Sequence, residues 1–227
     1  MLPGFEIIGK AEKSAVNRLF EEGKIFFAHG FDNKRKHFHV REFETELKSV
    51  FAQRMSDSLC VSSGTAAIKI ALKALNIRPG DEVITQSFNF IATVEAIVDT
   101  GAKLILTGID DTLNMDPRSL SNLISKKTKA IVPVHMLGVP ANMPSIKQIS
   151  TEHSIPIIED ACEAIGAKVG NTFVGGLGDF GIYSFDFGKM ITTGEGGAIF
   201  SKSKKLGKIA RMYHDHGHKN LEGIPRG

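Results

Sequence analysis

Residues 130–160 read AIVPVHMLGVPANMPSIKQISTEHSIPIIED, and they contain the pattern that best predicts the fold. The apolar run at 130–134 predicts a strand, Met143–His153 a helix, and the apolar run at 155–158 a second strand. Two short strands joined through a helix form a βαβ unit, in which the strands lie parallel. Because both runs are almost continuously apolar, we expect a sheet that is covered on both of its faces.

The same alternation of strand and helix continues on both sides of this unit. Further strands are predicted at 59–61, 82–85 and 103–109, and further helices at 65–76, 90–100, 117–125 and 202–214. Glycine-rich segments at 175–188 and 194–197 separate short strands near the end of the chain. The pattern predicts an α/β fold, a three-layer sandwich around a mostly parallel sheet.

Two helices are predicted before the first strand, at 10–22 and 40–54, with a polar loop between them. We therefore expect residues 1–57 to form an N-terminal helical arm and residues 58–217 a large domain. Residues 218–227 are expected to begin a loop that leads away from this domain.

Composition narrows the class of protein. The 227 residues are 42% hydrophobic and 23% charged with a net charge of +3, which excludes disorder and gives no argument for nucleic acid. The longest apolar stretch, 130–141, is interrupted and shorter than the roughly 20 residues of a membrane helix. The first ten residues do not resemble a secretory signal, and Cys60 and Cys162 are too few for a disulfide scaffold. We expect a cytoplasmic protein without membrane or nucleic-acid partners.

Polar residues follow several predicted strands, where open parallel sheets bind their ligands. These residues are Ser62 to Thr65, Gln86 to Phe90, His135, and Glu159 with Asp160. We expect the fold to bring them to one edge of the sheet, although loops are polar in most proteins and the pattern also fits a chain without a site.

Ser63-Gly64-Thr65-Ala66-Ala67 lies where a strand turns into a helix. The free N–H groups of a first helical turn, together with the helix dipole, favour an anion such as phosphate. Serine and threonine are also preferred N-caps, so a purely capping role stays open.

Two other motifs are weaker. The glycines at 176–181 match G-x-G-x-x-G, but a strand-like segment follows them where a dinucleotide site needs a helix. The spacing of His214, His216 and His218 does not place three rings on one face, so no metal site is expected there. The same conclusion applies to His29, His37 and His39.

Lys189 is a single lysine among apolar and glycine residues. A desolvated lysine loses its proton more easily and can form a Schiff base. Asp160, at the end of a buried strand, needs a cation or hydrogen bonds. Pyridoxal 5′-phosphate (PLP) requires three such parts, namely a lysine, an isolated acid and a phosphate-binding turn. The alternative is that Lys189 and Asp160 form a purely structural ion pair.

Five motifs now define a resemblance that covers residues 43–217. They are SGTAA at 63–67, PGDEVI at 79–84, PVHxxG at 133–138, EDACEAIGA at 159–167 and SFxxxKxxTTGEGG at 184–197. The chain resembles the DegT/DnrJ/StrS-type sugar aminotransferases, which are fold-type I PLP-dependent enzymes. The resemblance implies that residues 58–217 are a PLP-binding large domain and that a small C-terminal domain is missing.

The resemblance also implies roles for individual residues. Lys189 would hold the cofactor as an aldimine and then shuttle a proton, and Asp160 would pair with the pyridinium nitrogen. The remaining cofactor contacts would be Gly64, Thr65 and Ser184 on the phosphate, Phe90 on the ring, and Glu163 near the phenolic oxygen.

Family members move an amino group, here expected from glutamate, to a keto-sugar that is nucleotide-linked or a sugar acid. The resemblance implies a homodimer in the full-length form and a place in polysaccharide or lipopolysaccharide precursor biosynthesis. A truncated product of this kind is expected to be inactive alone.

The sequence departs from the family pattern at two places, and two alternatives to the aminotransferase function stay open. Glu163 stands where many members have glutamine, and Asp186-Phe187 replaces the usual His-Pro. A non-catalytic truncated paralogue or sensor is one alternative. A PLP-dependent sugar dehydratase is the other, but those enzymes have histidine at the position of Lys189.

Overall fold

The structure, a computed structural model, describes residues 3–23, 26, 28, 34 and 36–217. In this part of the chain the helices are α1 (Lys10–Glu21), α2 (His39–Phe51), α3 (Gly64–Ala74), α4 (Ile91–Val98), α5 (Pro117–Leu123), α6 (Met143–His153) and α7 (Lys204–His214). The strands are β1 (Asp57–Val61), β2 (Glu82–Gln86), β3 (Lys103–Thr107), β4 (Thr128–Val132), β5 (Ile158–Asp160), β6 (Lys168–Val169), β7 (Thr172–Phe173), β8 (Phe180–Ser184) and β9 (Gly197–Ser201). Short 3-10 turns occupy Gly4–Ile7 and Met136–Gly138. None of the helices described is long and apolar enough to cross a membrane.

The main sheet has the strand order β3-β2-β4-β5-β8-β9-β1. Strands β3, β2 and β4 pair in parallel, and β5 pairs in parallel with β8. Parallel bridges between Ile131 and Ile157 and between Val134 and Asp160 connect β4 with β5. Only β9 runs against its neighbours, because it is antiparallel to both β8 and β1. The predicted α/β fold with a mostly parallel sheet is confirmed.

Alternate residues of the strands point to opposite faces, and both faces are buried. One face packs against α3, α4 and α7 and contributes Val83, Val132, Ile158, Ile182 and Ile199 to the core. The other face packs against α2, α5 and α6 and contributes Ile84, Ile131, Ile157, Tyr183 and Phe200. This arrangement forms the three layers that the almost continuously apolar strands predicted.

Some boundaries differ from the sequence prediction. The strand predicted at 155–158 is observed as Ile158–Asp160, preceded by a single bridge at Ile157. Pro156 lacks an N–H group and cannot contribute a full rung to the ladder, which explains the later start. The helix predicted at 40–54 ends at Phe51.

The predicted arm contains two different helices. Helix α1 buries none of its side chains, whereas α2 inserts Leu47, 3% exposed, into the core beside Tyr183. The division of the chain at residue 57 therefore stays a prediction, and residues 218–227 lie outside the described part.

Candidate active site

A cavity of about 270 Å³ lies beyond the carboxyl ends of β5 and β8, against the amino end of α3. Its position is the one expected for a ligand site in a parallel sheet. Every cofactor-binding residue predicted from the sequence is in its wall, namely Gly64, Thr65, Phe90, Asp160, Glu163, Ser184 and Lys189.

The amino end of α3 forms one wall. Ser63 caps the helix, since its Oγ accepts a hydrogen bond of 3.0 Å from the N–H of Ala66. The N–H groups of Gly64 and Thr65 lie in the first turn, where a helix offers them no carbonyl partner. A Cβ on Gly64 would lie 2.8 Å from Cys162 Sγ and 3.0 Å from Ser184 Cβ, so glycine is needed for this close approach. This wall therefore contains two main-chain N–H groups without a helical partner, and Ser63 caps the same helix.

Asp160 ends β5, and the residue is only 5% exposed. Its Oδ2 accepts a 2.6 Å hydrogen bond from the Thr93 hydroxyl, and its Oδ1 accepts one of 3.2 Å from the Cys162 N–H. These two donors fix the plane of the carboxylate. The side chain therefore faces the cavity in one orientation.

Lys189 lies in the loop between β8 and β9. Its Nζ is 3.8 Å from Oε1 of Glu163 and 6.0 Å from the centroid of the Phe90 ring. The ion pair of Lys189 is thus with Glu163 and not with Asp160, so the structural pair considered from the sequence is not formed. The side chain is 25% exposed, and the desolvation predicted from the sequence is only partial.

Glu163 is held in place from the side opposite Lys189. Its Oε2 accepts a hydrogen bond of 3.2 Å from the N–H of Leu137. The carboxylate therefore contacts both a main-chain donor and the lysine.

Other polar residues at the strand ends serve the fold and not the cavity. Oε1 of Gln86 accepts hydrogen bonds from the N–H groups of Met115 and Val134. His135 and Glu159 are both fully buried, and their side chains pair at 3.2 Å. The interpretation of Gln86, His135 and Glu159 as ligand groups is wrong, because their buried side chains are occupied by internal partners.

Sequence reasoning missed the residues that support Asp160. Thr93 gave no signal, because a threonine within an apolar helix resembles any other core position. Cys162 also lines the cavity, and burial, together with the nearby charge of Asp160, raises the pKa of its thiol. It is a neutral wall residue at physiological pH.

No three His, Cys, Asp or Glu side chains of the described part of the chain are grouped so that they could hold a metal ion. His29 and His218 lie outside the described residues.

Fold and cavity together define an α/β protein that brings a lysine, a buried carboxylate and the amino end of a helix to the carboxyl end of a parallel sheet. The chain belongs to the DegT/DnrJ/EryC1/StrS aminotransferase family, whose sequence profile matches residues 23–224.

Known proteins similar to this chain agree with that assignment. A UDP-N-acetyl-3-dehydro-alpha-D-glucosamine 3-aminotransferase of Acidithiobacillus ferrooxidans is 40% identical over 158 residues, which are 69% of this chain and 43% of that protein. The spore coat polysaccharide biosynthesis protein SpsC of Bacillus subtilis is 34% identical over 93% of this chain and 52% of its own length. The structure of an aminotransferase from Psychrobacter cryohalolentis superposes with a TM-score of 0.86 at 32% identity, covering 94% of this chain and 52% of that one. The chain spans about half the length of the curated relatives it matches.

Proposed function

We propose that the protein is a PLP-dependent aminotransferase that moves an amino group from glutamate to a keto-sugar. The observation that carries the proposal is that Lys189, Asp160 and the amino end of α3 meet in one cavity. The names of the relatives support a nucleotide-linked sugar as acceptor and a product used in polysaccharide biosynthesis.

The residues of the cavity fit PLP. The N–H groups of Gly64 and Thr65 and the hydroxyl of Ser184 would bind its phosphate, as helix N-termini bind phosphates in general. The carboxylate of Asp160 would hold the proton on its ring nitrogen. The ring of Phe90, 63% exposed, is free to stack on its flat face.

When bound, PLP supplies an electron sink for the carbon that loses a proton. Nζ of Lys189 would attach the cofactor and then carry that proton. Thr93 and the main chain of Cys162 would keep Asp160 turned toward the ring. Glu163 would lie near the phenolic oxygen of the cofactor, beside Lys189.

We further propose that two copies associate across the mouth of the cavity. Phe90 lines the cavity, and Leu137, 69% exposed, binds through its N–H to Glu163. Phe88 and Ile91, next to Phe90, are 44% and 57% exposed. Apolar side chains concentrated at a rim support a homodimer whose interface closes the site.

Borohydride reduction tests the attachment. The protein is loaded with PLP, reduced, digested and analysed by mass spectrometry. We expect a pyridoxyl adduct on the peptide that contains Lys189, which the Lys189→Arg variant loses and the surface variant Lys103→Arg retains. An adduct on another lysine, or none, would overturn the proposal.

The reaction class is tested with the full-length gene product, glutamate and nucleotide-linked keto-sugars. We expect an amino-sugar and 2-oxoglutarate in equal amounts. A deoxygenated keto-sugar would identify a dehydratase instead, and cofactor binding without turnover of any keto-sugar would identify the non-catalytic alternative.

A further inference from the structure

A short segment near the beginning of the chain, residues 3–8, lies on the loop that carries Lys189. We call residues 185–196 the lysine loop. The N–H of Gly4 donates a hydrogen bond of 2.8 Å to the main-chain carbonyl of Lys189 itself. Nothing in the proposed function uses this segment, and the segment adds no strand to the sheet.

Contact between the segment and the loop is close. Gly4 is buried, and a Cβ on it would lie 2.7 Å from the carbonyl oxygen of Met190 and 2.9 Å from that of Lys189. Both atoms belong to the main chain, so they cannot swing aside as a flexible side chain would. Any residue larger than glycine must therefore push the segment and the loop apart.

An aromatic stack makes a second contact. The rings of Phe5 and Phe187 lie 4.3 Å apart, centroid to centroid, with an interplanar angle of 8°. Phe187 comes two residues before Lys189 and is still 56% exposed with Phe5 in place. Phe5 is thus the aromatic partner that covers part of a large apolar side chain in the lysine loop.

Other hydrogen bonds of the loop run mainly within the loop itself. Lys189 donates its N–H to the carbonyl of Asp186, and Thr193 donates its N–H to that of Phe185. The hydroxyl of Thr192 donates to the same carbonyl of Phe185. These bonds shape the loop, whereas the bond from Gly4 ties the main chain of Lys189 to a different part of the molecule.

We propose that Gly4 and Phe5 form a positioning element that fixes the main chain of Lys189, so that Nζ stays directed at the cavity. The inference rests on the proposed function, because it assigns the purpose of the contact to the attachment of the cofactor by Lys189. Small misplacements of a reacting group cost about 10²-fold in rate, which makes a fixed main chain valuable at this residue.

Gly4→Ala tests the proposal, with Gly9→Ala as the matched control, since a Cβ on Gly9 would have no neighbour closer than 3.9 Å. In the cofactor-free protein, we expect Gly4→Ala to speed hydrogen exchange of the peptide covering residues 185–196 by about tenfold. Exchange in β2 and β4, and the urea midpoint, should stay those of the wild type. Gly9→Ala should leave exchange of the peptide covering residues 185–196 at the wild-type rate.

Measurements on the PLP-loaded protein provide a second test of the proposal. We expect Gly4→Ala to release PLP about tenfold faster into a trapping reagent and to shift the pH at which the visible band of the bound cofactor titrates. Phe5→Leu and Phe187→Leu should each have a smaller effect of the same kind, and the double variant should be no worse than either one. Phe5→Tyr, which keeps the stack, should restore wild-type release.

Three outcomes would overturn the inference. Unchanged exchange in the lysine loop of a folded Gly4→Ala variant would show that the segment does not fix the loop. Faster exchange across the whole sheet would show a role in general stability only. Additive effects of Phe5→Leu and Phe187→Leu would show that the stack is not the contact that matters. A wild-type protein that fails to carry PLP on Lys189 would count against the proposed function, while the cofactor-free exchange would still report on the contact itself.

Discussion

At the scale of single residues, the site depends on how Asp160 is held. The carboxylate already has two hydrogen-bond donors, Thr93 and the main chain of Cys162, and it is buried with the residue 5% exposed. A charge fixed in this way stabilises an opposite charge without reorganising, which is the condition under which electrostatic stabilisation is strongest.

Asp160→Asn keeps the shape of the side chain and removes its charge. We expect the variant to bind PLP and to lose both half-reactions by about 10²–10³-fold, because a neutral amide does not hold a proton on the ring nitrogen. Single-turnover rates of the full-length gene product with glutamate and with a keto-sugar measure this effect. Asp111→Asn, an exposed carboxylate on the surface, is the control. Near-normal turnover of Asp160→Asn would remove Asp160 from the proposed chemistry.

Thr93→Val removes only the hydroxyl that donates to Oδ2 of Asp160. A hydrogen bond to a buried charged group contributes about 1.5–3 kcal/mol, so we expect the free energy of unfolding to fall by about 2 kcal/mol. Urea titration measures it, and Thr93→Ser, which retains the hydroxyl, should recover most of the loss. Equal stability of the valine variant would mean that the bond contributes nothing.

At the scale of elements, two neighbouring residues of β5 point to opposite faces of the sheet and have different roles. Asp160 faces the cavity, whereas Glu159 points to the other face of the sheet and is fully buried. Its carboxylate accepts hydrogen bonds from the side chain of His135 and from the N–H groups of Gly175, Leu177 and Gly178. Since Nδ1 of His135 accepts from the N–H of Ala141, its proton lies on Nε2 and is donated to Glu159. Glu159 thereby fastens the glycine-rich turn before β8 to the strand that carries Asp160.

Glu159→Gln should weaken the contact between β5 and the glycine-rich turn before β8. An amide N–H₂ would face main-chain donors that now bind an oxygen, and we expect the free energy of unfolding to fall by about 3 kcal/mol. Urea titration measures the change. Glu152→Gln, on the exposed side of α6, is the matched control and should stay within about 0.5 kcal/mol of the wild type. A similar small effect for both variants would show that the turn is fixed by its own backbone.

At the scale of the whole molecule, one arginine joins three parts of the chain. The guanidinium of Arg211 on α7 donates to both oxygens of Asp57 on β1, to Oε2 of Glu44 on α2 and to the carbonyl of Ser58. Glu44 in turn accepts the N–H of Cys60. The two helices are thus fastened to the edge strand of the sheet, far along the sequence from each other.

Arg211→Met should destabilise the fold in a pH-dependent way. Burial raises the pKa of Glu44, and the charge of Arg211 opposes this rise, whereas Asp57 adds to it. Because the pKa of Glu44 is higher in the folded than in the unfolded state, Glu44 stabilises the fold at low pH. This contribution is lost as the pH rises through the pKa of the folded state. Without Arg211 that pKa rises further, so the deficit should be about 3–5 kcal/mol at pH 7 and smaller near pH 4.

Urea titrations of Arg211→Met at both pH values measure the difference. Arg118→Met is the control, because Arg118 pairs with Asp116 while its side chain is 89% exposed, and surface pairs contribute about 0–1 kcal/mol. A deficit that grows on acidification would contradict the assignment of Glu44 as the titrating group.

Most helices and strands, and the residues at the centre of the site, could be predicted from the sequence. Apolar runs and helical spacing located β1 to β5 and α3 to α6 to within a few residues, because periodicity and turn residues are local properties. The motifs around Gly64, Asp160 and Lys189 predicted, through the family they resemble, that these residues share one site. Their roles toward a cofactor stay predictions.

The contacts that hold the site residues in place could be identified only from the tertiary structure. Glu159 and Asp160 look alike in the sequence, and only the register of β5 between β4 and β8 turns one to the core and the other to the cavity. The same holds for Thr93 against Asp160, for Arg211 against Glu44, and for Gly4 against Lys189. Each of these pairs joins positions distant in the chain, and such contacts follow from packing the layers together and not from any local pattern.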